Sequence, residues 1–168
     1  MNALVFNGKV IQIEAITFPV HAALTWVPIP SGVAVAVGWS YANGTFTAPP
    51  APPAPTLAQQ AAAALGAGLT ITSTGTPAIN GTYAVASGVP FGREDIGTEA
   101  QFVSTFSEFT NGAQTLEWPL IDGKTFVTFP STTTFMNFAK AAAQYYAAVK
   151  AVAATGQGSF PSNQVTIP

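Results

Sequence analysis

The chain has 168 residues, of which 48% are hydrophobic and only 7% are charged, with five basic side chains, seven acidic ones and no cysteine. Because typical soluble proteins carry roughly 25% charged residues, we expect much of this surface to be buried in an oligomer or larger assembly. The alternative is an extracellular protein with an uncharged Ser/Thr surface. The scattered basic residues exclude a patch for nucleic acid or anionic lipid, and the lack of cysteine excludes thiolate nucleophiles, cysteine metal sites and disulfides.

The first ten residues, MNALVFNGKV, lack the charged region and apolar run of a secretory signal. The most apolar windows, 57–71 and 141–154, are too short or too interrupted to span a bilayer. We therefore expect no classical signal peptide and no membrane insertion.

Asn7-Gly8 predicts a first β-hairpin. Both central residues of a type I′ turn need φ > 0, which Asn followed by Gly tolerates best. A two-residue loop gives the partners Phe6 with Lys9, Val5 with Val10 and Leu4 with Ile11.

Asn43-Gly44 predicts a second hairpin, which pairs Tyr41 with Phe46. An aromatic cross-strand pair is worth up to about 1 kcal/mol over an alanine pair. Between the two hairpins, VAVAV at 33–37 alternates large and small residues and predicts a further strand. Its inner face would consist of Val33, Val35, Val37, Trp39 and Tyr41. Residues 1–48 are thus predicted to form a small all-β unit.

A proline-rich spacer over residues 49–56 follows this unit. Proline fixes φ and removes a hydrogen-bond donor, so the stretch APPAPPAPT is expected to be a stiff polyproline II segment. At about 3.1 Å per residue it spans roughly 28 Å.

Residues 57–168 are predicted to form a second unit of class α+β with three helices. The first follows Thr56 as N-cap and stops at Gly66 or Gly68, and the last runs from Ser131 or Thr132 to Gly156. The long helix has an apolar face of Phe135, Phe138, Ala139, Ala142, Tyr146, Val149 and Val152. The middle helix is expected to start at a capping box of Thr98 and Gln101, to carry a stripe of Phe102, Phe106 and Phe109, and to end at Asn111-Gly112.

Hairpins are also predicted within this second unit. Asp122-Gly123 closes one, with the partners Ile121 and Lys124, Trp118 and Val127, and Leu116 and Phe129. Asn80-Gly81 closes another between LTITST and TYAVA, although Gly75 and Pro77 favour a longer connection. The C-terminal tail is expected to be extended, either docked or loose.

Few residues offer chemistry. His21 is the one histidine and has no serine-acid pair beside it. Arg93, Glu94, Asp95 and Glu99 form the one charge cluster, which suits acid–base work or cation binding but fits a solvated helix start better. No metal-ligand spacing and no cofactor motif occur. We therefore expect no catalytic residue, no metal, no cofactor and no enzyme activity.

Three aromatic residues near the second hairpin are the candidate contact residues: Trp39, Tyr41 and Phe46. Exposed aromatics on a hairpin serve as sugar-stacking or protein-contact surfaces. The competing interpretation, which we favour, is that they form the core of a small β unit with little else to bury. For Trp26, Trp118 and Tyr145 a core position is expected more strongly.

The segment VAVGWSYANGTFTAPPAPP resembles one found in tailed-bacteriophage tail proteins, where a V-x-x-G-W-x-Y hairpin precedes proline-rich sequence. The second half is similar to an uncharacterised domain of tail and tail-fibre-associated proteins. There, segments like GLTITSTGTPAINGTYAV and LEWPLIDGKTFVTFPSTTTF lead into an Ala- and aromatic-rich helix. Together the similar segments cover about 130 of the 168 residues.

The resemblance implies a virion component at the tail tip, in a fibre or in an adaptor, with no catalytic residues to carry over. Tail parts usually have cyclic symmetry, often as trimers, so a homo-oligomer bound to other virion proteins is expected. The chain has no fibre-shaft repeat, which favours a short adaptor, fibre-tip or decoration protein. The alternatives are a receptor- or glycan-binding module for host attachment, a tail-assembly chaperone and, least favoured, a cell-surface hydrolase that uses Glu94, Asp95 and Glu99.

Overall fold

Ten strands and three helices are arranged in two separate units of the chain, Met1–Ala54 and Pro55–Pro168. The computed structural model describes residues 1–168 and confirms the α+β class. The strands are β1 (Asn2–Phe6), β2 (Lys9–Glu14), β3 (Leu24–Pro28), β4 (Ser40–Ala42), β5 (Thr45–Thr47), β6 (Leu69–Ser73), β7 (Gly81–Tyr83), β8 (Leu116–Pro119), β9 (Phe126–Phe129) and β10 (Gln164–Ile167). The helices are α1 (Leu57–Gly66), α2 (Arg93–Phe106) and α3 (Thr132–Thr155). The division between the units falls inside the predicted spacer, which contains no helix or strand.

The first unit is one curled antiparallel sheet in the order β3-β1-β2-β4-β5. Its small core consists of Ala3, Val5 and Val10, on which half-buried side chains pack. Both predicted Asn-Gly turns are confirmed, because Asn7 and Gly8 have φ of 48° and 72°, and Asn43 and Gly44 have 51° and 80°.

The register of the first hairpin differs from the prediction at one pair. Phe6 lies opposite Lys9 and Val5 opposite Val10 as predicted, but Leu4 lies opposite Gln12 instead of Ile11. A bulge between Leu4 and Val5 shifts the register by one residue.

The predicted strand over 33–37 is wrong. Val33 and Val37 are exposed, and of the three valines only Val35 packs against the core. Gly38, at φ 92°, forms a turn in which the Trp39 amide bonds the Ala36 carbonyl at 3.2 Å, so the alternating pattern never enters the sheet. The place beside β1 is taken by β3, which was not predicted.

The second unit packs its three helices against two small sheets. In one sheet β6 is central, with β10 parallel on one side and β7 antiparallel on the other. β8 and β9 form the second sheet. The C-terminal tail, which was expected to be either docked or loose, is therefore docked, because β10 pairs with β6.

The helices α1 and α3 follow the predicted boundaries. Thr56 and Gln59 form a capping box at the start of α1, Ser131 caps α3, and Gly156 ends α3 in the left-handed conformation. On α3 the predicted apolar face is buried except for Tyr146 and Val152, which are half-buried, whereas the neighbouring Tyr145 is buried. No helix, α3 included, combines the length and apolarity that a membrane crossing requires.

The predicted boundaries and stripe of α2 are wrong. The helix begins at Arg93, five residues before the predicted Thr98 cap, and ends at Ser107, a left-handed C-cap at φ 62°. Its buried stripe is Ile96, Glu99 and Val103. Carboxylates in the first turn accept hydrogen bonds from the preceding loop and stabilise the earlier start. Phe109 of the predicted stripe is buried, but it lies beyond the end of the helix.

The Asp122-Gly123 hairpin keeps its predicted register but has a wider turn. Trp118 lies opposite Val127 as predicted. The Ile121 amide, however, bonds the Thr82 carbonyl at 2.8 Å, so Ile121 and Lys124 are not ladder partners. The predicted pairing of β6 with β7 is confirmed, with the longer connection over 74–80.

We expect Gly68→Ala to destabilise the second unit. Gly68 has φ +77°, and an added Cβ would lie 2.6 Å from the Tyr83 carbonyl oxygen. Strain of this kind costs about 1–3 kcal/mol. The matched control is Gly66→Ala, where nothing lies within 4 Å of the new Cβ and φ is ordinary. The free energy of unfolding, from urea titration of amide resonances of the second unit, should fall only in the first variant. Equal effects of both substitutions would contradict this.

We also expect the second unit to lose stability above about pH 10. Burial raises the pKa of Tyr83, whose hydroxyl donates to the Ile79 carbonyl at 2.6 Å, and burial also raises the pKa of Tyr145. Above the unfolded pKa near 10, the unfolded chain loses the tyrosine protons that the folded state retains. The stability that these tyrosines contribute is therefore fully present below that pH and is lost as pH rises. Tyr83→Phe should reduce this loss by up to about 1.4 kcal/mol per pH unit while weakening the unit at neutral pH. An unchanged slope of unfolding free energy against pH would contradict the assignment.

Candidate functional site

The three aromatic residues predicted as contacts lie together on the first unit. Tyr41 lies opposite Phe46 as predicted, with ring centroids 4.8 Å apart. The Trp39 carbonyl accepts from the Val10 amide at 2.8 Å. All three side chains are half-buried and pack against the small core. The rings that a ligand would contact are therefore also the rings that cover this core.

The charge cluster divides between two structural roles. Glu94 accepts from the Ser87 hydroxyl and the Gly88 amide, and Asp95 accepts from the Phe91 amide at 2.6 Å. The hydrogen bond from Ser87, followed by that from Gly88, lowers the pKa of Glu94. Arg93 lies 3.7 Å from Glu94 in an exposed pair, which contributes little. These carboxylates hold the loop before α2.

Glu99 is the one buried acidic side chain, with 6% of its surface exposed. Its two carboxylate oxygens accept from the Thr110 amide at 2.9 Å and the Thr110 hydroxyl at 2.6 Å. It therefore ties α2 to the segment beyond the helix, while Glu94 and Asp95 bond the segment before it.

His21 and the remaining acids do not form a metal centre. His21 is exposed, and its Nδ1 accepts from the Ala23 amide at 3.2 Å. No group of three or more histidine, aspartate or glutamate side chains comes together to hold an ion.

The second unit contains an apolar cleft of about 490 Å³. Its walls are the end of α1, the segment after β7, the loop before α2 and the β8–β9 turn. The lining residues are Leu65, Gly66, Ala84, Val85, Ala86, Val89, Pro90, Phe91, Pro119, Leu120, Ile121, Asp122, Gly123 and Phe126. Asp122 is the only charged residue among them.

The rim of this cleft exposes large apolar side chains. Val89, Phe91, Ile121 and Phe126 are 41%, 44%, 43% and 57% exposed. Singly exposed apolar residues are ordinary, so the notable feature is that four of them line one cleft. We call these four residues the apolar rim.

Hydrogen bonds fix the walls of the cleft. The Asp122 carboxylate accepts from the Lys124 amide at 2.9 Å and from the amide and hydroxyl of Thr125 at 2.9 Å and 2.7 Å. These bonds, led by that from the Thr125 amide, lower the pKa of Asp122 to about 2. The Phe91 ring, which also lines the cleft, meets Trp118 edge to face at 5.5 Å. The indole N–H of Trp118 is buried without a hydrogen-bond partner.

A second groove of about 710 Å³ lies between α2 and α3. It is lined mostly by small residues, and the Arg93 guanidinium lies 4.6 Å from the centre of the Tyr146 ring. This cation–π contact and the flanking Lys140 make the groove more polar than the cleft.

Comparison with known proteins identified no relative of this chain. No protein-family model, curated protein or solved structure matches the chain. The similarity to tailed-phage tail proteins therefore stays an expectation from the sequence segments that carry it.

The sequence predictions missed the apolar cleft. Its walls come from three separate stretches of chain, 65–66, 84–91 and 119–126, and no local period connects them. The available signal was GVPFG at 88–92, where an aromatic residue stands among turn formers. Phe91 has a left-handed φ of 56°, and its ring is held half-exposed at the rim.

We expect Tyr41→Ala to lower the unfolding free energy of the first unit by about 1–2 kcal/mol, because the ring covers the core and pairs with Phe46. Tyr41→Phe, which keeps the ring, is the control. Urea unfolding followed by resonances of β1 and β2 measures the effect. Unchanged stability of Tyr41→Ala would contradict the assignment of this ring to the core.

Proposed function

We propose that this chain is a structural component of a bacteriophage virion, in the tail tip, a fibre or an adaptor, and that it acts by protein–protein assembly. The observation that carries the assembly part is the apolar rim around the 490 Å³ cleft. Its partners are other virion proteins and further copies of the chain, with a trimer favoured.

The chemistry of the cleft supports assembly over catalysis. A protein contact needs apolar surface at its centre and fixed walls, and the cleft offers both. The nearest carboxylate, Asp122, is fully engaged with Lys124 and Thr125. Its low pKa keeps it ionised at neutral pH, which suits a turn-stabilising group and not a general acid.

The low charge of the chain supports the same proposal. Only 7% of the residues are charged, so few charged groups oppose association or require desolvation when surfaces meet. The assignment to a phage tail rests on the similar segments of sequence, above all VAVGWSYANGTFTAPPAPP.

The test of assembly is the molar mass of the purified chain by size-exclusion chromatography with light scattering. We expect an oligomer, and we expect Phe126→Ser to shift it toward monomer by about tenfold or more in dissociation constant, as for a residue central to an interface. Phe106→Ser is the matched control, because Phe106 is 60% exposed, close to the 57% of Phe126, and lies outside the cleft.

Mass spectrometry of purified virions tests the location. We expect the chain in mature particles, and labelling it for low-resolution imaging should place it on the tail. Presence in the lysate but absence from particles would favour an assembly chaperone. A monomer at every concentration that copurifies with no particle would contradict the proposal.

A further inference from the structure

The spacer has a repeat that matches the geometry of polyproline II. Its sequence, APPAPPAP over 48–55, repeats Ala-Pro-Pro every three residues. Polyproline II has three residues per turn, so each position of the repeat forms its own edge along the rod. Ala48, Ala51 and Ala54 lie on one edge, and prolines occupy the other two. In this conformation, which the repeat favours, the segment forms a short rod with two apolar ridges and one narrow edge.

This rod presents its whole surface. Every residue from Thr47 to Gln60 is exposed, and residues 48–55 belong to no helix or strand. Polyproline II has no internal hydrogen bonds, so the carbonyl groups of the rod remain free to accept, except that of Pro55, which accepts from the Gln60 side-chain amide at 2.8 Å. Its conformation is set before binding, which lowers the entropic cost of docking.

The apolar cleft matches such a rod in chemistry. Proline-rich P-x-x-P segments dock into grooves lined by aromatic and apolar side chains. The cleft provides Phe91 and Phe126, and Pro90 and Pro119 also line it. The rod is uncharged, and the single charged group of the cleft is already paired within its own turn. A neutral apolar segment therefore enters without leaving a charge unpaired.

The attachment point of the spacer favours a rod from another copy. The spacer joins the second unit at Thr56, the cap of α1, whereas Leu65 and Gly66 at the opposite end of α1 line the cleft. The rise of the helix separates these ends by about 14 Å. A stiff segment would have to reverse its direction at Thr56 to reach its own cleft, whereas the segment of a neighbouring copy needs no reversal.

We propose that the proline-rich segment 48–55 of one copy docks in the apolar cleft of the next copy. This inference rests on the proposed assembly function and names its contact. Each copy supplies one rod and one cleft, so the contact is head-to-tail and closes into a ring when the rotation permits, as a trimer does.

The test uses a full-length receptor whose own rod is removed by Pro→Ser substitutions at Pro49, Pro50, Pro52 and Pro53. A synthetic peptide of residues 47–57 is titrated into it while amide and indole resonances are recorded. We expect shifts at residues 84–91, at 119–126 and at the indole N–H of Trp118, which adjoins Phe91. A peptide with the same four Pro→Ser substitutions should bind about tenfold more weakly or not at all.

Two further variants locate the contact. Phe126→Ser in the receptor should abolish the shifts at the cleft, whereas Phe106→Ser should leave them unchanged. In the chain with an intact spacer, the peptide in excess should compete with self-association and lower the average molar mass.

The outcomes separate this inference from the proposed function. An oligomer that persists in the spacer variant, with no peptide binding, would overturn the inference and leave assembly standing. Shifts that map outside the cleft would overturn it as well. Peptide binding by a chain that remains monomeric at all concentrations would overturn the docking between copies and the assembly function together.

Discussion

The contacts of Phe135 and Phe138 at the start of α3 hold the second unit together. The Phe135 ring lies 5.1–5.9 Å from those of Phe109, Trp118, Phe129 and Phe138, and the Phe138 ring lies 4.6 Å from that of Tyr83. Phe135 and Phe138 have no exposed surface. Aromatic pairs of this kind add about 0.5–1.5 kcal/mol each to the effect of burial. Through them α3 fixes β7, both strands of the β8–β9 hairpin and the segment beyond α2.

The same packing determines which apolar side chains remain outside. β9 alternates, so Phe129 is fully buried in the aromatic cluster while Phe126 is 57% exposed at the rim of the cleft. Trp118 connects the two environments, because its ring contacts Phe135 on the inside and Phe91 at the rim. The walls of the cleft are thus built on elements that the core holds in place. A surface fixed in this way loses little conformational entropy when it binds a partner.

Turns and helix caps, which depend on neighbouring residues, were predictable from the sequence, whereas packing between distant segments was not. The turns at Asn7-Gly8 and Asn43-Gly44 and the caps Thr56, Ser131 and Gly156 depend on a few neighbouring residues, so these hairpins and helix ends were predicted correctly. The predicted strand over 33–37 was wrong because the turn at Gly38 diverts the chain out of the sheet. The predicted start of α2 was wrong because Glu94 and Asp95 accept hydrogen bonds from the preceding loop, which stabilise a helix start before the apparent cap. The cleft has no sequence signature, because it exists only where three distant stretches meet.

Hydrogen–deuterium exchange tests the proposed docking without a substitution, because exchange at the amides of the cleft can be compared between high and low concentrations of the chain. At high concentration we expect slower exchange at residues 84–91 and 119–126 and at Ala51 and Ala54, the amides between the prolines of the rod. Amides on the exposed face of α3 should exchange at the same rate under both conditions. New protection confined to the α2–α3 groove or to the first unit, with none at the cleft, would contradict the proposed docking.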